Sequence, residues 1–365
     1  MTVLAVMGLY AQTTGNVTVE FSGEMKTGVW WRRWDVTGEE PDEIAEIKND
    51  DGDSGPSEGR ARLNLHIKKD IIGAKVRFEQ TAWKTTSPNV WSFVFAYGDF
   101  FNNQLRVATG KLGESPWAAG GPDIYKELDD KIGVRFEVKP AIVPGLNVGF
   151  VLNTWDEATY STEKMTLVDI LQETVLGVSY THDYFHVRFC WRLDGEADVI
   201  TLQDGMQMMY RVEERILGKM VPGLQLWANG HWMGIGTEDQ DPDYAVRSYV
   251  NWFYAQYAPE NFTAQLRLGY AKEVSYDELR MKASFYYNIL SWLSAGVAVN
   301  FSMRFGDDKP VKDVPFHLIN VEPQVKMTFA PGTYVALVYL YEYEYLSSVR
   351  SKQTNKINLR TVFTF

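Results

Sequence analysis

Residues 283–303, ASFYYNILSWLSAGVAVNFSM, form an uncharged stretch of 21 residues between Lys282 and Arg304. Its length would admit a transmembrane helix, which needs about 20 apolar residues. The order of its polar residues argues otherwise. Ser284, Ser294, Asn300 and Ser302 alternate with Phe285, Leu293, Val299 and Phe301, a period of two that belongs to strands. The stretch therefore reads as two strands joined at Asn288-Ile289-Leu290-Ser291.

The same alternation runs outward in both directions. Ala61, Leu63, Leu65 and Ile67 oppose Arg62, Asn64, His66 and Lys68, while Val76 and Phe78 oppose Lys75, Arg77 and Glu79. With these, 61–68 and 74–83, the runs are 16–33, 90–97, 104–111, 131–139, 145–154, 172–181, 184–193, 206–215, 224–233, 245–257, 262–271, 279–287, 293–305, 316–329, 333–345 and 355–365, eighteen in all. Odd-numbered connections are polar and mostly long: 34–58, 84–89, 112–130, 155–171, 194–205, 234–244, 272–278, 306–315 and 346–354. Even-numbered ones are short: 69–73, 98–103, 140–144, 181–183, 218–223, 258–261, 288–291 and 330–332. Val143-Pro144-Gly145-Leu146 returns as Val221-Pro222-Gly223-Leu224, and Ala330-Pro331-Gly332 echoes both. All three fall among the short turns, so the strand count between them keeps its parity.

A soluble β-sandwich also alternates, but with strands of about 5–6 residues and without charges on its packed faces. Here the runs are commonly about 9–11 residues, the length of a tilted transmembrane strand. One face carries Leu, Val, Phe, Tyr and Trp; the other carries Arg, Lys, Glu, Asn, Ser and Gly. The pattern predicts an all-β fold, a transmembrane antiparallel up-and-down β-barrel of about 18 strands with short turns at one end and long loops at the other. Sixteen strands follow if the 90–111 region or the 206–233 region is misread.

Composition agrees. The chain of 365 residues contains 19 Phe, 20 Tyr and 12 Trp, too many aromatics for a disordered polymer. Its 36 Lys+Arg against 47 Asp+Glu give a net charge of -11, which disfavours a nucleic-acid partner. A lone Cys190 forms no internal disulfide, and no Cys/His cluster has metal spacing. Residues 1–11, MTVLAVMGLYA, read as the apolar core and cleavage site of a signal peptide that lacks a basic start. Residues 12–365 then form one barrel domain. Tyr97, Tyr180, Phe185, Phe262 and Phe329 by the short turns, and Trp191, Trp232, Tyr270 and Tyr343 by the long loops, read as outward girdles; ordinary strand propensity is the other account of them.

The last run, Lys356-Ile357-Asn358-Leu359-Arg360-Thr361-Val362-Phe363-Thr364-Phe365, finishes on an aromatic residue. It resembles the C-terminal signal by which bacterial outer-membrane proteins are recognised for barrel assembly. Asn358, Phe363 and Phe365 match its polar and aromatic positions, while Arg360 stands where that signal prefers Gly. The whole mature chain resembles the outer-membrane porins of Gram-negative bacteria. That resemblance implies passive diffusion of small hydrophilic solutes. It also implies contact with outer-membrane lipid and lipopolysaccharide, delivery by the barrel-assembly machinery, a homotrimer, and a third loop folded into the lumen. The corresponding loop, 112–130, carries Glu114, Asp123 and Glu127, a candidate acidic side of a constriction.

Facing it, the inward rows supply Arg62, Lys75, Arg77, Arg106, Arg135, Arg188, Arg192, Arg211, Arg267, Lys282 and Arg304. Inward acids such as Glu20, Glu24, Glu79, Glu137, Glu173 and Glu342 are fewer, so the lumen should favour anions. The alternative is that these arginines pair with acids across neighbouring strands and stiffen the wall. Replacing Arg77 and Arg106 by Ser separates the two, since only a selectivity role shifts the reversal potential toward cations. Inward Trp227, Tyr249 and Tyr286 keep a saccharide-selective channel open as a rival, and a barrel-anchored surface adhesin or receptor is a second.

Catalytic, metal and cofactor signals are absent from the motifs. Gly55-Pro56-Ser57-Glu58-Gly59 has the letters of a nucleophile elbow without its strand-to-helix setting. Asn49-Asp50-Asp51-Gly52-Asp53 lacks the later ligands of a calcium loop. His182 and His186, four apart on strand geometry, stand about 13 Å from each other, too far to share a metal. The reading is a non-enzymatic channel.

Overall fold

Strands with an apolar row facing lipid need backbone partners on both sides, and only a closed sheet supplies them in the absence of water. A computed structural model of the chain describes residues 17–36, 42–46, 60–80, 90–113, 115–117, 132–155, 174–193, 206–233, 247–273, 276–306, 317–347 and 350–365. The strands are β1 (Val17–Val36), β2 (Asp42–Glu46), β3 (Arg60–Lys69), β4 (Ile72–Gln80), β5 (Val90–Phe100), β6 (Leu105–Lys111) and β7 (Ile132–Val138). Next come β8 (Leu146–Trp155), β9 (Val175–Thr181), β10 (Phe185–Leu193), β11 (Met206–Glu214), β12 (Leu224–Met233) and β13 (Arg247–Tyr257). The last are β14 (Phe262–Glu273), β15 (Tyr276–Leu290), β16 (Leu293–Gly306), β17 (His317–Ala330), β18 (Thr333–Ser347) and β19 (Arg350–Thr364).

From β3 to β19 each strand pairs antiparallel with its chain neighbour, β1 pairs with β3, and β19 returns to β1. The result is a closed barrel of 18 strands, as the alternation predicts. The extra strand, β2, lies outside this ring. Its residues pair with Trp30–Trp34 of β1, in what the sequence reads as an acidic loop. The reason is geometric: β1 outruns β3, whose pairing stops at Lys26, and the exposed edge above that point is covered by the returning segment.

Burial is inverted relative to a soluble protein. Leu337, Ile357, Leu359, Leu268 and Phe253 are exposed, Leu337 at 54%, whereas Arg135 and Glu137 are 2% exposed. The outer surface is therefore the apolar one and the polar rows line the lumen.

The Pro-Gly tripeptides do what their chemistry allows. Gly145, Gly223 and Gly332 take φ of 86°, 88° and 74°, the left-handed conformation that glycine adopts without strain. Two other turns move relative to the sequence reading. Asn288 remains in β15, because its N–H donates to the Asn261 carbonyl at 2.8 Å and its side-chain amide to the Glu260 carbonyl at 2.9 Å. The reversal falls on Ser291-Trp292 instead. Likewise β5 runs on to Phe100, and the turn is made by Phe101, Asn102 and Asn103 at φ 52°, 55° and 66°. A single helical turn, α1 (Ile216–Met220), occupies the connection before Gly223.

The seam that closes the barrel runs from Gly23 and Phe365 up to Val36 and Lys352. The Gly23 N–H donates to the Phe365 carbonyl at 2.7 Å, and the Phe365 N–H to the Gly23 carbonyl at 3.0 Å. Of the candidate assembly residues, Phe363 and Phe365 face outward at 43% and 45% exposure, and Asn358 is buried at 1%. Residues 1–11 lie outside the described residues.

Candidate functional site

On the β3–β7 wall the inward arginines are held by short contacts. Arg62 donates to Glu79 through Nε at 2.6 Å and Nη2 at 3.1 Å. Arg106 grips Asp99 in the same two-pronged way at 2.6 and 2.9 Å. Arg77 donates to Asn64 Oδ1 at 2.7 Å, and Arg135 lies 2.9 Å from Glu137. Lys75 stands in register between His66 and Phe95. Each of three guanidinium groups also covers an aromatic ring. Arg77 lies 4.7 Å from the Phe93 centroid, Arg135 5.6 Å from Phe95, and Arg106 4.6 Å from Tyr97. Stacking on a ring and forking onto a carboxylate use the two faces of guanidinium chemistry at once. These cations are held in one orientation.

Tyr97 is therefore an inward residue, contrary to its place in the predicted girdle. It is 5% exposed, and its hydroxyl lies 2.8 Å from His66 Nε2. Phe93 and Phe95 share its face. No periodicity marks this ladder, because Val94, Ala96 and Phe100 make the opposite face of β5 apolar too.

The pairing changes what replacing Arg106 measures. Removal of the guanidinium alone leaves Asp99 without its fork and shifts selectivity toward cations through the partner's charge. The neutral pair Arg106→Gln with Asp99→Asn is expected to leave the zero-current potential of a salt gradient where it was. A shift in that double variant, measured at low salt where screening is weak, would show that the pair itself selects.

The root of the third loop enters the lumen. Leu112 and Trp117 are 0% exposed, and Trp117 Nε1 donates to the Asn147 carbonyl at 3.3 Å. The indole lies on Gly177 of β9 and reaches Gly149 of β8, where any side chain would stand in its way. Arg135 Nη1 adds a bond to the Gly113 carbonyl at 3.1 Å. Glu114, Asp123 and Glu127 lie outside the described residues. An apolar cluster that includes Phe93, Phe95, Leu112, Trp117, Val151, Val175, Cys190 and Met209 runs from here as far as Val250 and Trp252 of β13 and Ala271 of β14. Cys190, 3% exposed, is one of its buried members.

Across the ring the wall is of another kind, for β14 is the ninth wall strand on from β5 in a ring of 18. Trp227 stacks on Tyr254 with centroids 3.5 Å apart, Arg211 lies 4.7 Å over Trp227, and Arg267 lies 5.4 Å over Tyr254. Lys282 stands 5.9 Å from the Trp252 centroid. Beyond them Lys26, Arg267, Lys282, Glu322 and Arg360 line a polar recess of ≈ 340 Å³. It adjoins a second recess that shares Gln265, Tyr286 and Gln324 and reaches the short-turn end at Trp292 and Thr328.

The remaining inward cations distribute as follows. Arg188 and Arg211 share the Glu213 carboxylate at 3.6 and 2.8 Å. Arg304, 4% exposed, stands in register with Glu278. Arg192 is in register with Val175 and Gln207, and its side chain lies outside the described ones. Tyr286 belongs to the recess, whereas Tyr249 is in register with Trp232, and its side chain lies outside the described ones. Lys26 and Arg360 were not among the inward residues found by alternation. Arg360 lay in the assembly motif, and Lys26 alternates with Glu24 on β1, which was the available signal.

A closed barrel of 18 strands with an apolar exterior and a charged interior defines the class: a transmembrane β-barrel of porin fold. No family model and no curated protein matches the sequence. Among solved structures, DcaP, an outer membrane channel of Acinetobacter baumannii, superposes with a TM-score of 0.51 at 10% identity, covering 97% of this chain and 99% of that one. OmpF of Salmonella typhi gives 0.49 at 11% identity over 94% and 98%, and a loop-deleted OmpT of Vibrio cholerae gives 0.47 at 14% over 96% and 100%. At such identities the likeness is one of fold.

Proposed function

We propose that the chain is a non-enzymatic channel for passive diffusion of small hydrophilic solutes across the outer membrane, with a preference for anions. The observation that carries this reading is the contrast between the two halves of the interior. The arginines of the β3–β7 wall are paired with acids, and the wall across from it has adjoining polar recesses lined by Lys26, Arg267, Lys282, Lys326 and Arg360 with Glu322 as their one carboxylate. Cations along a water-filled wall raise the local concentration of anions and lower that of cations.

Folded protein added to a planar bilayer is expected to give stepwise conductance. Under a salt gradient its zero-current potential should have the sign of an anion-preferring pore, larger at low salt. Absence of steps from protein that migrates as a heat-modifiable barrel would remove the channel reading and raise that of an anchor. The rival saccharide-selective channel loses its leading aromatic, because Trp227 is stacked on Tyr254 and carries Arg211 over its ring.

The same reading includes removal of residues 1–11 as a signal, delivery by the barrel-assembly machinery, a lipopolysaccharide-bearing leaflet around the long-loop end, and a homotrimer. The apolar exterior and the outward Phe363 and Phe365 support the membrane part of it. The mass of the protein extracted from outer membranes tests the cleavage, and cross-linking before solubilisation tests the trimer.

A further inference from the structure

Asn229 of β12 stands in register between Arg211 of β11 and Trp252 of β13, on the lumen face. Asn229 is 1% exposed and Trp252 5%. Among the described residues, Asn229 Nδ2, Trp252 Nε1 and, two residues before Asn229, Trp227 Nε1 are buried N–H donors that no hydrogen bond satisfies. An indole N–H can only donate, and a buried one ordinarily finds an acceptor. Trp117 does so, through the Asn147 carbonyl.

The rings that carry these donors are fixed in place. Trp227 lies against Tyr254 with centroids 3.5 Å apart. The Cδ2–Cε3–Cζ3 edge of Trp252 lies on Gly269 of β14, which leaves the opposite edge, the one with Nε1, away from that strand. Cations flank the patch on both sides. The Arg211 guanidinium stands 4.7 Å over the Trp227 ring, and the Lys282 ammonium 5.9 Å from the Trp252 centroid. Glu213, in register with Trp227, is turned to Arg211 Nε at 2.8 Å. Whatever else these two cations bind, they set the sign of the local field.

We propose that this patch holds a small monovalent anion, a halide, in the lumen wall. The three N–H groups call for an acceptor that brings no hydrogens of its own. A buried water typically makes about 3 hydrogen bonds and must place its own hydrogens on acceptors, whereas a halide has none to place and accepts from every side. Neutral donors make the contacts while the guanidinium and the ammonium stand behind the rings, so the fit is to a single charge. The site deepens the channel reading, on which it rests for the anion's route of entry.

Stability of the detergent-folded barrel tests the site apart from conductance. Replacing sodium gluconate by sodium chloride at constant ionic strength is expected to raise the temperature at which the compact band is lost, as for any ligand that binds only the folded state. In Asn229→Leu and in Trp252→Phe, each of which deletes one donor, the same rise should need about tenfold more chloride or higher, the loss expected for a hydrogen bond to a charged group. Bromide exchanged into crystals of the unaltered barrel should give an anomalous peak beside Asn229 Nδ2 and Trp252 Nε1, a result that depends on no variant folding. Lack of halide dependence in the unaltered barrel, the same dependence in both variants, or an anomalous peak only elsewhere would assign these donors to buried water and overturn the proposal. Halide binding without bilayer conductance would sink the channel reading alone, and conductance without halide binding would sink this site alone.

Discussion

Trp117→Ala is expected to release the root of the third loop from the wall and to make the open current larger and noisier, while the barrel stays folded. The indole is fully buried over Gly177 and Gly149, and its Nε1 is bonded to the Asn147 carbonyl. Truncating a buried Trp to Ala costs about 3–5 kcal/mol in a packed interior. That cost falls on the docking of a segment and not on the closed ladder of wall strands. With a tenfold change for each 1.4 kcal/mol, the detached population rises by about two to three and a half orders of magnitude. Trp117→Phe keeps an aromatic plate in the slot and should retain most of the docking. Gly177→Val attacks from the other side, since a Cβ there would stand 2.0 Å from the indole. Single-channel recording checks both, with heat-modifiable migration as the control for folding. Current and noise equal to those of the unaltered protein in Trp117→Ala would show that the loop root is held by something else.

The slot for Trp117 illustrates what was hidden in the sequence. Alternation within a strand tells which side chains point inward, so Gly149 and Gly177 could be assigned to the lumen row. That they stand side by side is a matter of register between β8 and β9, which no single strand encodes. The arginines show the same limit. Their face was legible from Arg62-Leu63-Asn64-Leu65, but Asp99 as the partner of Arg106 was not, because residue 99 was assigned to a turn. That misplacement also cost the phase of Tyr97: Phe93, Phe95 and Tyr97 look like an outward row until Asp99, two residues on, is known to share their face.

Strand count and topology were legible for a different reason. Parity is enforced by the ends of the barrel, and the three Pro-Gly tripeptides mark one end through a backbone conformation that few other pairs support. Residues 283–303 had the right strands and a reversal two residues early, because Asn288 is a good turn former by itself. Its partners, the carbonyls of Glu260 and Asn261, belong to the neighbouring hairpin. Local propensity yielded to a contact made across the sheet.

Gly23→Val is expected to prevent closure of most of the barrels that would otherwise form. A Cβ at Gly23 would meet the Phe365 ring at 2.4 and 2.6 Å and the backbone carbonyl of Arg62 at 2.7 Å. The ring can rotate away, but the carbonyl belongs to the β1–β3 ladder and cannot move without disturbing it. Overpacking of this kind costs about 1–3 kcal/mol when side chains alone must adjust; a backbone obstacle places Gly23→Val at the upper end or beyond. The site matters because Gly23 and Phe365 exchange two hydrogen bonds, at 2.7 and 3.0 Å, where the last strand meets the first. Phe365→Ala should lower the melting temperature less, since the backbone pair survives without the ring. Adding Phe365→Ala to Gly23→Val should restore only part of the loss, because the Arg62 carbonyl remains in the way. The checks are the fraction of protein that migrates as a compact band before heating and the temperature at which that band is lost. Full closure of Gly23→Val with an unchanged transition would mean that the seam is governed by pairing higher along β1 and β19, between Met25–Phe363 and Val36–Lys352, and that the outward ring of Phe365 has no part in holding the barrel shut.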